Sequence, residues 1–114
     1  MKIFKKSDDS FVGSIMGVNG VYADAIFRID PNERITIGRD PKSAQIVVDE
    51  NCELVSRKHC TILGCVSSNC YIVTDYSTNG TFADGKKLPK GEAVAVARGT
   101  VIAVGDESNT FRLN

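Results

Sequence analysis

The chain has no net charge, because its fourteen basic and fourteen acidic residues cancel over 114 positions. Without a global field there is nothing to hold a nucleic-acid backbone or an anionic membrane surface, so any anion site must be local. Long apolar runs are missing as well. The longest fall far short of the roughly 20 residues that cross a bilayer, and the amino terminus lacks the apolar core of a signal peptide. A soluble, non-secreted, cytoplasmic protein is expected, monomeric by default, with neither nucleic acid nor membrane insertion among its interactions.

Cysteine pairing signals are absent too. Cys52, Cys60, Cys65 and Cys70 include no Cys-x-x-Cys spacing, and with no export signal they are expected to be reduced thiols. His59 next to Cys60 would point to the opposite face of a strand, which argues against a zinc cage. No metal and no cofactor is called for. Cys60 reads as a small buried hydrophobe.

Nor does any segment hold helical periodicity for long. What is present instead is 42% hydrophobic residues, enough for one core without a metal or disulfide staple, arranged in short β-branched and aromatic runs broken by Gly, Asn, Asp and Pro. That pattern predicts an all-β sandwich or barrel. Strands are expected at Phe11–Met16, Ala23–Ile29, Arg34–Gly38, Ile46–Val48, Cys60–Val66 and Tyr71–Asp75, then Thr81–Phe82, Lys86–Leu88, Ala93–Val96, Val101–Val104 and Thr110–Leu113. Turn signals separate them, among them Asn19-Gly20, Pro31-Asn32, Ser68-Asn69, Asp84-Gly85 and Gly105-Asp106. In Ile35-Thr36-Ile37 and Tyr71-Ile72-Val73-Thr74 a period of two assigns alternate residues to core and outer face, with Tyr71 and Val73 inward. Residues 11–114 are expected to form one domain. Met1 to Ser10, rich in charge, is expected to be a looser N-terminal segment.

Three polar clusters interrupt the strands: Gly38-Arg39, Ser56-Arg57-Lys58-His59, and Asp75-Tyr76-Ser77-Thr78-Asn79-Gly80-Thr81-Phe82. Together they suggest a phosphate pocket built from loops. A phosphorylated side chain brings close to two negative charges and three strong acceptor oxygens, so its site needs fixed N–H and O–H donors as well as positive charge. Arg39 and Arg57 supply guanidinium forks, and Ser56 adds a hydroxyl and a backbone N–H. Lys58 is a longer-range helper. Asn79, with both amide donor and acceptor, suits the backbone of an extended peptide. Asp75, at a strand end beside a turn, reads as an acceptor for loop N–H groups, and His59 as a structural, hydrogen-bonded histidine. Taken singly, each residue has a plain structural reading; only their joint occurrence in this order raises the functional one.

These motifs, followed by Gly85 and Leu88, resemble those of the forkhead-associated domain, a family of phosphothreonine-peptide binding modules, in order and approximate spacing. From about Ser14 to Leu113 the strand pattern is also similar to that family's eleven-stranded, twisted β-sandwich of two sheets with binding loops at one end. The resemblance implies that Arg39 and Ser56 contact the phosphate, and that Arg57 contacts the phosphate or the peptide main chain. It implies further that Thr78 and Asn79 hold the peptide beside the phosphothreonine, while Gly38, His59 and Gly80 shape the loops. A preference for phosphothreonine over phosphoserine, through a small cavity for the extra methyl, is implied too. One departure is Arg98-Gly99-Thr100, where the family often has Gly-Asp before a late strand.

The resemblance therefore implies a non-catalytic module for phosphorylation-dependent interaction in signalling or regulation, its ligand on another molecule or within the same longer polypeptide. Two alternatives are weighed against it. A phosphate-independent interaction sandwich would bind phosphorylated and plain partners equally. A hydrolase built on Ser56, His59 and Asp75 has the residue types of a triad but no Gly-x-Ser-x-Gly elbow around the serine and no oxyanion-hole motif.

Overall fold

Short β-branched runs cannot bury both faces alone, and among the described residues eleven of them pair into two sheets that close over one another. The structure is a computed structural model and describes residues 13–114. The strands are β1 (Gly13–Gly17), β2 (Ile26–Ile29), β3 (Arg34–Gly38), β4 (Ile46–Val47), β5 (Cys60–Cys65), β6 (Cys70–Asp75), β7 (Thr81–Ala83), β8 (Lys86–Lys87), β9 (Ala93–Val96), β10 (Thr100–Val104) and β11 (Thr110–Leu113). One sheet runs β2-β1-β11-β10-β7-β8 and the other β4-β3-β5-β6-β9. All named pairings are antiparallel except β3 with β4. The expected all-β sandwich of eleven strands is what forms. The looser Met1–Ser10 segment, and the start of the first strand at Phe11, lie outside the described residues.

Alternation places the core. Ile15, Ile29, Ile102, Val104, Phe111 and Leu113 of the six-stranded sheet meet Ile35, Ile37, Ile46, Ile62, Tyr71 and Val73 of the other, all buried. Each such side chain contributes roughly 1.5–3 kcal/mol by leaving water. Tyr71 also ties the layers together: its ring is fully buried, while its hydroxyl accepts from the Ser14 N–H at 3.0 Å and donates to the Ser14 carbonyl at 3.4 Å. A buried phenol needs such a partner. Cys60 packs in the same core, and desolvation pushes its thiol up to about 12.

Two segments differ from the sequence reading. Ala23–Ala25 does not extend β2; a 3-10 turn at Gly20–Tyr22 precedes it, and Asp24 holds φ 71, a left-handed conformation that no strand accommodates. Thr36, which alternation assigns to the outer face, is only 8% exposed there. The chain returns over it after β3, where Thr36 N–H donates to Gln45 Oε1 at 2.7 Å and Gln45 N–H donates to the Thr36 carbonyl at 3.0 Å. A neighbouring β4 explains that return, since its parallel pairing with β3 requires the chain to double back.

Topology then gathers the loops. β1, β3, β6 and β10 end at one pole, and β5, β7 and β11 begin there, as the pairs Gly17–Phe111, Ile37–Cys60, Cys60–Asp75 and Val104–Thr81 require. At the other pole the Asn114 N–H donates to the Ser14 carbonyl at 2.8 Å.

Candidate functional site

Gly38 ends β3 against the loop that leads into β5, and a Cβ there would collide with the Arg57 carbonyl. Glycine is what lets the two segments touch. Just beyond it the Arg39 N–H donates to the Ser56 carbonyl at 3.0 Å, and the Asp40 N–H to the Arg57 carbonyl at 3.3 Å. Arg39 Nε donates to the Val55 carbonyl at 2.5 Å, which anchors the guanidinium by its inner nitrogen. Among the described residues its terminal amines make no bond. Arg39 and Ser56, 17 positions apart in sequence, are thus neighbours at the rim.

The next loop is built on Asp75. This carboxylate, buried at the end of β6, accepts through Oδ1 from the Ser77 N–H at 3.0 Å, the Ser77 hydroxyl at 2.6 Å and the Thr81 hydroxyl at 2.8 Å. Ser77 Oγ in turn accepts from the Gly80 N–H at 2.7 Å. Gly80 sits at φ 103, a conformation that strains any residue with a Cβ. The loop therefore has its shape before any ligand arrives.

His59 joins these loops. Its Nδ1 accepts from the Ser56 N–H at 3.0 Å, and its Nε2 lies 2.8 Å from the Gly80 carbonyl, which fixes the proton on Nε2. The same carbonyl accepts from the Gly105 N–H at 3.0 Å, so one imidazole connects the loops after β4, β6 and β10. With both nitrogens given to backbone groups, it is not positioned to take a proton from the Ser56 hydroxyl. Ser56, His59 and Asp75 are close but are not wired as a triad.

Burial lowers the His59 pKa below its usual 6.5, although the Gly80 carbonyl and the Asp75 charge pull the other way. Protonation would turn Nδ1 into a second donor facing the Ser56 N–H. Because the unfolded chain binds this proton more readily, the contribution of His59 to stability is complete above pH 6.5 and is lost as the pH falls through its lowered folded value. Thermal melts should therefore show stability falling as the pH drops below 6.5. A His59→Gln variant should lack that component, and an unchanged pH profile would refute the coupling.

Around this frame stand the donors. Ser56 Oγ accepts from the Thr78 N–H at 3.1 Å, which leaves its hydroxyl proton to be donated outward. Arg57 and Thr78 are exposed at the rim. Lys58 Nζ lies 4.3 Å from the centre of the Tyr76 ring, held over the aromatic face. Two details depart from expectation. The Ser56 N–H, read as a ligand donor, is taken by His59; the N–H groups of Arg57 and Lys58 on the same loop make no hydrogen bond among the described residues. Asn79 Nδ2 donates to the Leu54 carbonyl at 3.2 Å, so this side chain braces the neighbouring loop and presents its remaining amide groups. Side-chain types could not reveal the unbonded N–H groups, because backbone donors carry no letter in a sequence.

Comparison with known proteins agrees with this layout. The FHA domain model matches residues 35–105. A probable serine/threonine-protein kinase, fhkA of Dictyostelium discoideum, is 34% identical over 115 residues, covering 94% of this chain and 19% of the kinase. The chain thus spans about a fifth of the length of that relative. The FHA domain of CT664 from Chlamydia trachomatis superposes with TM-score 0.76 at 24% identity, covering 90% of this chain and 95% of that one. The N-terminal FHA domain of Rad53p from S. cerevisiae, solved with a phosphothreonine peptide, gives TM-score 0.70 at 24% identity, covering 90% and 91%.

Proposed function

The chain belongs to the FHA domain family, and from that premise we propose that its apical loops bind a phosphothreonine peptide and act without catalysis of their own. The observation that carries this reading is the convergence of Arg39, Ser56, Arg57 and Thr78 on one rim, with Arg39 and Ser56 joined by direct hydrogen bonds between their loops. Arg39 offers its terminal amines and Ser56 its hydroxyl proton to the phosphate, and the Arg57 and Lys58 N–H groups are donors on the same loop as Ser56, unbonded among the described residues. Arg57 adds exposed charge. Thr78 and Asn79 follow along the peptide main chain. Gly38, His59, Asp75 and Gly80 keep the donors in place, so little ordering is left for the moment of binding.

Charge-assisted hydrogen bonds of about 1.5–3 kcal/mol each offset the ordering cost and leave micromolar affinity, about −8 kcal/mol. Anisotropy titrations with phosphothreonine, phosphoserine and unmodified versions of one peptide test this. Binding is expected in that order of strength, with the plain peptide bound least. A Glu or Asp at the same position should bind poorly, since it offers one charge and a planar pair of oxygens in place of a tetrahedral set. Equal affinity for all versions would refute a phosphate pocket.

A further inference from the structure

At the pole away from these loops, the β5–β6 hairpin sets two thiols against each other. Cys65 and Cys70 are register partners in the antiparallel ladder, and the turn between them is Val66 to Asn69. Directly opposed residues have Cα atoms about 4.5–5.5 Å apart, inside the range that a disulfide spans. Both belong to the outer face of the five-stranded sheet, and both are half-buried free thiols. Their surroundings are unequal. Cys65 Sγ lies 3.5 Å from the Ser67 hydroxyl; this contact, with the Ser68 backbone and side chain, lowers its pKa, while burial and then the neighbouring Cys65 raise that of Cys70. Arg98, whose Nε donates to Asn69 Oδ1 at 3.1 Å, places positive charge beside the hairpin tip.

We propose that Cys65 and Cys70 are an oxidation site, in which Cys65 is the nucleophile toward hydrogen peroxide and Cys70 the resolving thiol that closes a reversible cross-strand disulfide. The Cys65 thiolate attacks one peroxide oxygen, the O–O bond breaks, and sulfenic acid forms as hydroxide leaves to become water. Cys70 sulfur then attacks Cys65 sulfur. The S–O bond breaks, and the departing hydroxide takes the Cys70 proton as a second water. Two electrons and two protons pass from the thiols to the peroxide. The other two cysteines are placed differently: Cys60 is sealed in the core, and Cys52 Sγ accepts from Asn109 Nδ2 at 3.5 Å. This chemistry holds whether or not the apical loops bind phosphate.

The test is brief exposure of the folded 114-residue chain to near-stoichiometric peroxide, maleimide blocking of remaining thiols after denaturation, and mass analysis of a chymotryptic digest. Cleavage after Leu63 and Tyr71 isolates Gly64–Tyr71, which carries both cysteines. That peptide should lose two hydrogens, take no maleimide and regain both labels after dithiothreitol. In a Cys70→Ser variant, Cys65 should instead accumulate as sulfenic acid trapped by dimedone, an adduct scarce in the wild type. Earlier oxidation of Cys52 or Cys60, or an oxidised Cys65 beside a labelled Cys70 in the wild type, would overturn the proposal.

Discussion

Replacing Arg39 by Ala should abolish measurable binding of a phosphothreonine peptide while the domain stays folded. The guanidinium is tethered through Nε to the Val55 carbonyl, so its terminal amines are held ready for two parallel charge-assisted hydrogen bonds to phosphate. Losing both removes about 3 kcal/mol or more, which moves a micromolar dissociation constant at least a hundredfold, to about 100 μM or weaker. The fold loses only the Nε bond, about 1 kcal/mol, because the Arg39 N–H to Ser56 bond is backbone and survives. A melting temperature lower by roughly 4–8 °C follows. Arg39→Lys should recover part of the charge but not the fork. Calorimetric titration and thermal melts on the same preparations separate the two effects, and a variant that binds as tightly as wild type would exclude Arg39 from the pocket.

His59→Ala should do the reverse and strike the fold first. The imidazole is fully buried, and its removal leaves the Ser56 N–H without an acceptor, takes one donor from the Gly80 carbonyl and opens a cavity between two loops. An orphaned buried donor costs about 1–3 kcal/mol and the void adds to it, so a total near 3 kcal/mol or more is expected. For a domain of this size that is a fall of roughly 15 °C in melting temperature. Peptide affinity should fall as well, because Ser56 and Gly80 would no longer be held in register. Melting unchanged within a degree or two would show that the loops are joined by other means.

How much of this could be read from letters depends on which interactions the letters encode. Strand periodicity is a side-chain property, so Tyr71 and Val73 declared themselves as core and the eleven strands could be located one by one. Alternation gives the face that Thr36 takes but not its burial there, at only 8% exposed. The strand reading failed at Ala23–Ala25, where Asp24 takes a left-handed backbone just after the 3-10 turn. In the rim, Arg39, Ser56 and Asn79 were recognisable from type and order. Where their hydrogen atoms go was not: only three-dimensional placement shows that His59 occupies the Ser56 N–H and that Asn79 reaches Leu54. The opposition of Cys65 and Cys70 is likewise a matter of ladder register, which a one-residue slip would have destroyed.

The hydrogen bond from Asn114 to Ser14 fixes the last residue of the chain to β1 at the base of the sandwich. The end of β11 therefore lies beside β1, at the pole opposite the apical loops. Such a domain can be tethered to a sensor surface by its carboxyl end with its apical loops still facing solvent.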